Sequence, residues 1–138
     1  MYKAWILIIV LSMTLFSSSG YAEERGKSWK GTVSEAGLVE VVNFLMNNKG
    51  KEIELAGKKH AITGKEKLAV EITVLQCCDE KAFRKYISTL GVVKDVKFPT
   101  FNVTLPADAI PKIDEHGEIV NIKLESKAHE IWMNTLKQ

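Results

Sequence analysis

Leu68, Val70, Ile72 and Val74 alternate with Ala69, Glu71 and Thr73. A period of two sends successive side chains to opposite faces, so Leu68–Leu75 is expected to be a half-buried strand with one clean apolar face. Val92–Phe98 reads as a second strand, and the same period returns in Phe101, Val103 and Leu105 and in Val120, Ile122 and Leu124. Between these stretches the spacing becomes helical. Phe83, Tyr86, Ile87 and Leu90 fall on one side of a helix over Asp79–Leu90, and Gly91 is expected to end it in the left-handed conformation. Ile110 and Ile113 mark a short helix over Ala109–Glu115. Its Pro111 lies in the first turn, where a missing N–H costs nothing, and His116-Gly117 closes it.

From residue 66 to 125 the predicted order is therefore β-α-β-β-α-β. That is the split arrangement of the ferredoxin-like sandwich: an α+β fold with two helices on one face of an antiparallel sheet and a right-handed crossover. An N-terminal extension precedes it. Leu38, Val41, Val42 and Leu45 stand at i, i+3, i+4 and i+7 of a helix that Ser34 is expected to cap and that Asn47-Asn48-Lys49-Gly50 stops. Ile53 and Leu55 alternate with Glu52 and Glu54, Gly57 turns the chain, and His60-Ala61-Ile62 returns, which makes Lys51–Thr63 a hairpin. Ser126 opens a terminal helix carrying Ala128, Ile131, Trp132 and Leu136 on one side. Residues 34–138 thus form one domain: helix and hairpin over 34–65, core over 66–125, terminal helix over 126–138. The extension must cover an edge or the open face of the sheet.

Ahead of this domain lies a secretory signal. Lys3 supplies the positive end, Trp5–Phe16 the apolar stretch, and Gly20-Tyr21-Ala22 the small residues at the cleavage positions. The run is shorter than the roughly 20 residues that span a bilayer, so cleavage after Ala22 is expected rather than an anchor. The product is an exported, periplasmic or extracellular protein of bacterial type. Residues 23–33 read as a flexible leader. Loss of Lys3 leaves 18 of the 19 Lys and Arg against 17 Asp and Glu. The two signs are interspersed, so no basic stripe points to nucleic acid or an anionic membrane.

Candidate chemistry is sparse. Cys77 and Cys78 are the only cysteines and are adjacent. Neighbouring Cα atoms lie about 3.8 Å apart, below the ~4.4–6.8 Å of ordinary disulfides, so a bond between them is strained and suits a redox switch. Two thiolates also suit a soft metal ion. The plain alternative is that one cysteine joins the core and the other meets solvent. His60, His116 and His129 are isolated at element ends, with no i, i+4 ligand pair. Asp114 and Glu115 read as solvated loop carboxylates. With no nucleophile motif, phosphate loop or zinc helix, the chain is expected to be a non-enzymatic binding protein without an obligatory cofactor. Trp132 is expected to pack the terminal helix onto the domain, or else to engage a partner's groove.

Two resemblances sharpen this. Ala69–Val74, the helix ending Leu90-Gly91, Phe101–Pro106, Asp114–Gly117 and Ile119–Leu124 resemble in pattern the inhibitory propeptides of subtilisin-like proteases. In that family the sheet face docks on the protease and the segment after the last strand lies in its cleft. The resemblance implies a serine protease as protein partner. It assigns the contact to Glu125, Ser126, Lys127, Ala128, His129 and Glu130, with Trp132 beyond. The position of Cys77-Cys78, between first strand and first helix, is similar to that of the Cys-x-x-Cys loop of heavy-metal-associated domains, without the spacer. It implies soft-metal ligation by Cys77 and Cys78. A structural subunit of an envelope assembly is a third expectation.

Overall fold

The computed structural model describes residues 28–137. The expected signal over 1–22 and residues 23–27 of the leader lie outside these residues. In chain order the elements are α1 (Ala36–Asn47), β1 (Glu52–Leu55), β2 (Lys58–Ala61), β3 (Lys67–Val74), α2 (Glu80–Ser88), β4 (Val92–Lys97) and β5 (Thr100–Pro106). A 3-10 turn over Ala107–Ala109 leads into α3 (Ile110–Asp114), then β6 (Ile119–Leu124) and α4 (Ser126–Leu136). No helix among the described residues is long and apolar enough to cross a membrane.

The main sheet has the order β4-β5-β3-β6, with every neighbouring pair antiparallel. This is the strand order of the α+β sandwich that the alternation predicts. Leu68, Val70, Ile72 and Val74 of β3 turn inward beside Phe101, Val103 and Leu105 of β5 and Ile122 and Leu124 of β6, all buried. Phe83 and Ile87 of α2 and Ile110 and Ile113 of α3 close on them. Asp79 caps α2, its carboxylate accepting from the Ala82 N–H at 3.1 Å, which satisfies one of the free donors of the first turn.

The extension completes the same core. Leu38, Val41, Val42 and Leu45 are buried in it, each worth about 1.5–3 kcal/mol relative to exposure. Helix α1 packs on α4 and β6, and α4 packs on β1. The hairpin β1–β2 turns through Ala56 and Gly57, both at positive φ (50° and 82°), the conformation that a two-residue hairpin turn demands. Just before α1, Ser34 bridges Ile122 in parallel, so residues 33–35 cover the outer edge of β6.

Several local expectations change. Ser34 does not cap α1: Glu35 occupies that position and the Ser34 hydroxyl donates to Asp114. Glu125, rather than Ser126, precedes the first turn of α4. Gly91 is not left-handed, since the positive-φ glycines are Gly31, Gly50, Gly57 and Gly64. Its requirement is steric: a Cβ there would stand 2.2 Å from the Thr104 carbonyl oxygen.

Candidate functional site

The inward alternation leaves the opposite face of the sheet to polar residues. Pairing registers arrange them in rows: Asp95, Asn102, Glu71 and Lys123 across the middle, and Lys97, Thr100, Thr73 and Asn121 beside it. Val92, Thr104 and Ala69 form the third row, which ends at the start of α4, where the Glu125 N–H donates to the Ala69 carbonyl. Bonds within the grid are weak. Lys123 and Glu71 stand 3.8 Å apart and both are partly exposed, a pair worth at most about 1 kcal/mol. The Thr73 and Thr100 hydroxyls are 3.4 Å apart. Thr104 Oγ1 is buried with no hydrogen-bond partner among the described residues. Among those residues no element covers this face.

A shallow groove of about 340 Å³ crosses it, lined by Ala69, Glu71, Lys94, Asn102, Glu125 and Ser126 among others. Lys94, skipped in the β4–β5 register, marks an irregularity between Val93 and Asp95. Glu125 and Ser126, two residues assigned to a partner contact by the propeptide resemblance, form one wall. Carboxylates, an ammonium, an amide and a hydroxyl line the groove. Such a surface offers orienting hydrogen bonds and no nucleophile–base pair.

The other residues of that assignment are dispersed along α4. Lys127, His129 and Glu130 are exposed, Ala128 is partly buried, and Trp132 is 5% exposed in the core. The segment is helical rather than extended from Ser126 onward. His129 lies over α1, its ring filling the space that a Cβ on Gly37 would take, at 2.8 Å.

Cys77 and Cys78 part company. Both are free; Cys77 is exposed and Cys78 buried, the plain alternative that the sequence offered. Burial, together with a hydrogen bond to Glu118 and its charge, pushes the Cys78 thiol up to about 11. A thiol held in its protonated form is a poor nucleophile and a poor metal ligand. No group of three or more His, Cys, Asp or Glu residues able to hold a metal ion exists among the described residues. His116 instead lies against Phe83 and Tyr86, with ring centroids 5.5 and 4.9 Å apart.

Two carboxylates were misjudged or passed over by sequence reasoning. Asp114, expected in solvent, is 4% exposed, while its neighbour Glu115 is exposed. Asp114 accepts from the N–H groups of Thr32 (2.7 Å), Val33 (3.0 Å) and Ser34 (2.9 Å) and from the Ser34 hydroxyl (2.7 Å). Burial works against its ionised form, but the Ser34 hydroxyl and these N–H donors outweigh it and hold its pKa below the ordinary value. Glu66, 8% exposed, organises the turn before β3. It accepts from Thr63 N–H at 2.8 Å and Gly64 N–H at 2.9 Å and pairs with His60 Nε2 at 2.5 Å. Here too burial is outweighed, by Thr63, His60 and Gly64, and the pKa is lowered. The periodicity held the clue in both cases. Asp114 continues the Ile110, Ile113 stripe at i+4, and Glu66 continues the inward set of Leu68, Val70 and Ile72 one step back. Comparison with protein-family models, with curated proteins and with solved structures finds no match.

Proposed function

We propose that this chain is a small exported, non-enzymatic binding protein that presents the bare face of its four-stranded sheet to a protein partner. One observation carries this: the helices of the described residues all contribute to a single core on one side of the sheet, while on the other Asp95 and Lys123 are exposed and Asn102, Glu71, Thr100 and Thr73 partly so. The face mixes both charge signs with neutral hydrogen-bonding groups, which suits the polar part of a protein contact and not a polyanion site. Its groove, walled by Glu125 and Ser126, orients that contact.

The pattern resemblance to protease propeptides names the partner class to test, a subtilisin-type serine protease docked on the sheet face. The helical conformation of Ser126–Leu136 separates docking from inhibition, because an extended segment is what fills a protease cleft. A complex that leaves the cleft open suits a folding helper or carrier better than a tight inhibitor. The experiment mixes the mature chain with such a protease at micromolar concentration. Complex formation is read by native mass spectrometry, and hydrolysis of a small chromogenic substrate is read in parallel. A complex with hydrolysis retained is expected, and the double variant Thr73→Arg/Asn102→Arg should lose the complex while keeping its fold. No complex, with rapid digestion of the chain, would remove this partner class.

A further inference from the structure

Residues 33–35 lie where an added strand would lie on the β6 edge, and the chain reaches them through a bend at Thr32 and Val33 that follows Gly31 at φ 70°. The Ile122 N–H donates to the Val33 carbonyl at 2.9 Å, and the Glu35 N–H donates to the Ile122 carbonyl at 2.8 Å. On the other side of the segment, Asp114 gathers the N–H groups of Thr32, Val33 and Ser34 and the Ser34 hydroxyl. Asn43 of α1 adds a third hold. Its carbonyl oxygen accepts from the Trp29 N–H at 2.9 Å, and its amide donates to the Trp29 carbonyl at 2.6 Å. Every one of these bonds reaches backbone, except the Ser34 hydroxyl.

We propose that the trough between the β6 edge and Asp114 is a strand-addition site. Its ligand is a peptide segment that bends so as to turn three successive backbone N–H groups onto the carboxylate, carries a hydroxyl side chain at the third, and then pairs with the β6 edge. Residues 29–35 are the strap that occupies it in the isolated chain. The strap itself defines the chemistry of the occupant. Main-chain hydrogen bonds are how a sheet edge captures a partner segment, and the carboxylate that collects several N–H donors adds charge-assisted bonds to that hold.

The strap has the marks of a segment that opens locally. None of its side chains is fully buried: Lys30, Thr32 and Glu35 are exposed, and Trp29, Val33 and Ser34 only partly covered. It pairs with β6 at a single bridge. The adjoining α1, by contrast, holds four buried aliphatic residues. Trp29 and Val33 rest against the core only in part and the hydrogen bonds of the segment are part-buried, which places it below the core elements in local stability. The strap also precedes α1, so lifting it severs no connection between core elements. Being tethered, it competes at an effective concentration on the order of millimolar. A free partner segment therefore gains the site only when the strap is lifted or when it makes additional contacts.

The test lifts the strap without touching the site. Val33→Pro removes one donor to Asp114. Gly31→Val imposes strain at φ +70°, with its Cβ 2.9 Å from Val39 Cγ2. A labelled synthetic peptide spanning residues 28–35 is the probe, read by fluorescence anisotropy. Saturable binding to the double variant, none to the unaltered chain, and affinity reduced by more than about tenfold when Asp114→Ala is added are the expected results. Failure of the lifted variant to bind, or binding indifferent to Asp114→Ala, overturns the proposal. A second measurement needs no variant. Native-state hydrogen exchange of the unaltered chain should show the amides of Thr32, Val33, Ser34 and Ile122 exchanging through a local opening, ahead of Ile72 and Phe101. Exchange of all six only on global unfolding overturns it.

Discussion

Asp114 shows how one side chain ties remote parts of this chain together. Its carboxylate bonds residues 80 and more positions earlier in sequence, so ionisation and tertiary structure are linked there. Because its pKa and that of Glu66 are lowered in the folded state, their stabilisation is complete above the ordinary carboxylate pKa and is lost as pH falls through the folded values. Stability measured by urea unfolding should be level from neutral pH to about 5 and decline below it. Asp114→Asn should remove part of that acid limb, at a cost near neutrality of about 1–3 kcal/mol. The cost is bounded because the strap can surrender its donors to water instead of leaving them buried and unpaired. The cysteines obey the same logic of environment. With Cys77 exposed and the Cys78 thiol pushed up to about 11, iodoacetamide at pH 8 should add one label to the native chain. A second should follow only on unfolding, counted by intact mass. Two labels in the native state would contradict the buried position of Cys78.

At the scale of elements, regular repeats were legible and their boundaries were less so. The alternation in Leu68–Val74 and Phe101–Leu105 located β3 and β5 because one face is buried and the other is not. The i, i+3, i+4 stripes located α1 and α2 for the same reason. Caps and turns failed where a tertiary partner displaced the local one. Ser34 is an ordinary capping residue in sequence, but a buried carboxylate from α3 takes its hydroxyl. Asp114 was hidden by its charge, although it occupies a core position of the Ile110, Ile113 stripe. Gly91 reads as a helix terminator, yet its role is to let the start of β4 approach the Thr104 backbone. Gly91→Ala should consequently destabilise the chain by about 1–3 kcal/mol, the range for forcing atoms into packed space. Gly117→Ala is the matched control. Nothing lies within 4 Å of its Cβ position and its φ is not left-handed, so it should be neutral or stabilising by at most about 1 kcal/mol. Denaturant midpoints of the two variants make the comparison.

For the molecule as a whole, the strand order followed from β-α-β-β-α-β, because short right-handed connections leave few ways to join those elements. What pattern alone did not reveal is which face stays bare, because any amphipathic helix could have covered it. The N-terminal extension resolves this by joining the existing core instead of forming a second layer. Trp132 is the residue on which the final step depends. It is 5% exposed within the same core cluster as Leu38 and Leu68, so α4 is a structural member of the domain and the opposite sheet face is the surface proposed for binding. If so, Trp132→Ala should cost about 3–5 kcal/mol, the range for emptying a large aromatic site. Limited proteolysis should then cut after Ser126 in that variant and spare the unaltered chain. Thr73→Arg/Asn102→Arg, on the opposite face, should shift stability by no more than about 0.5 kcal/mol. A Trp132→Ala variant as stable as the parent would mean that α4 is held loosely and is free to leave the core. The helix, and not the sheet face, would then be the surface offered to a partner.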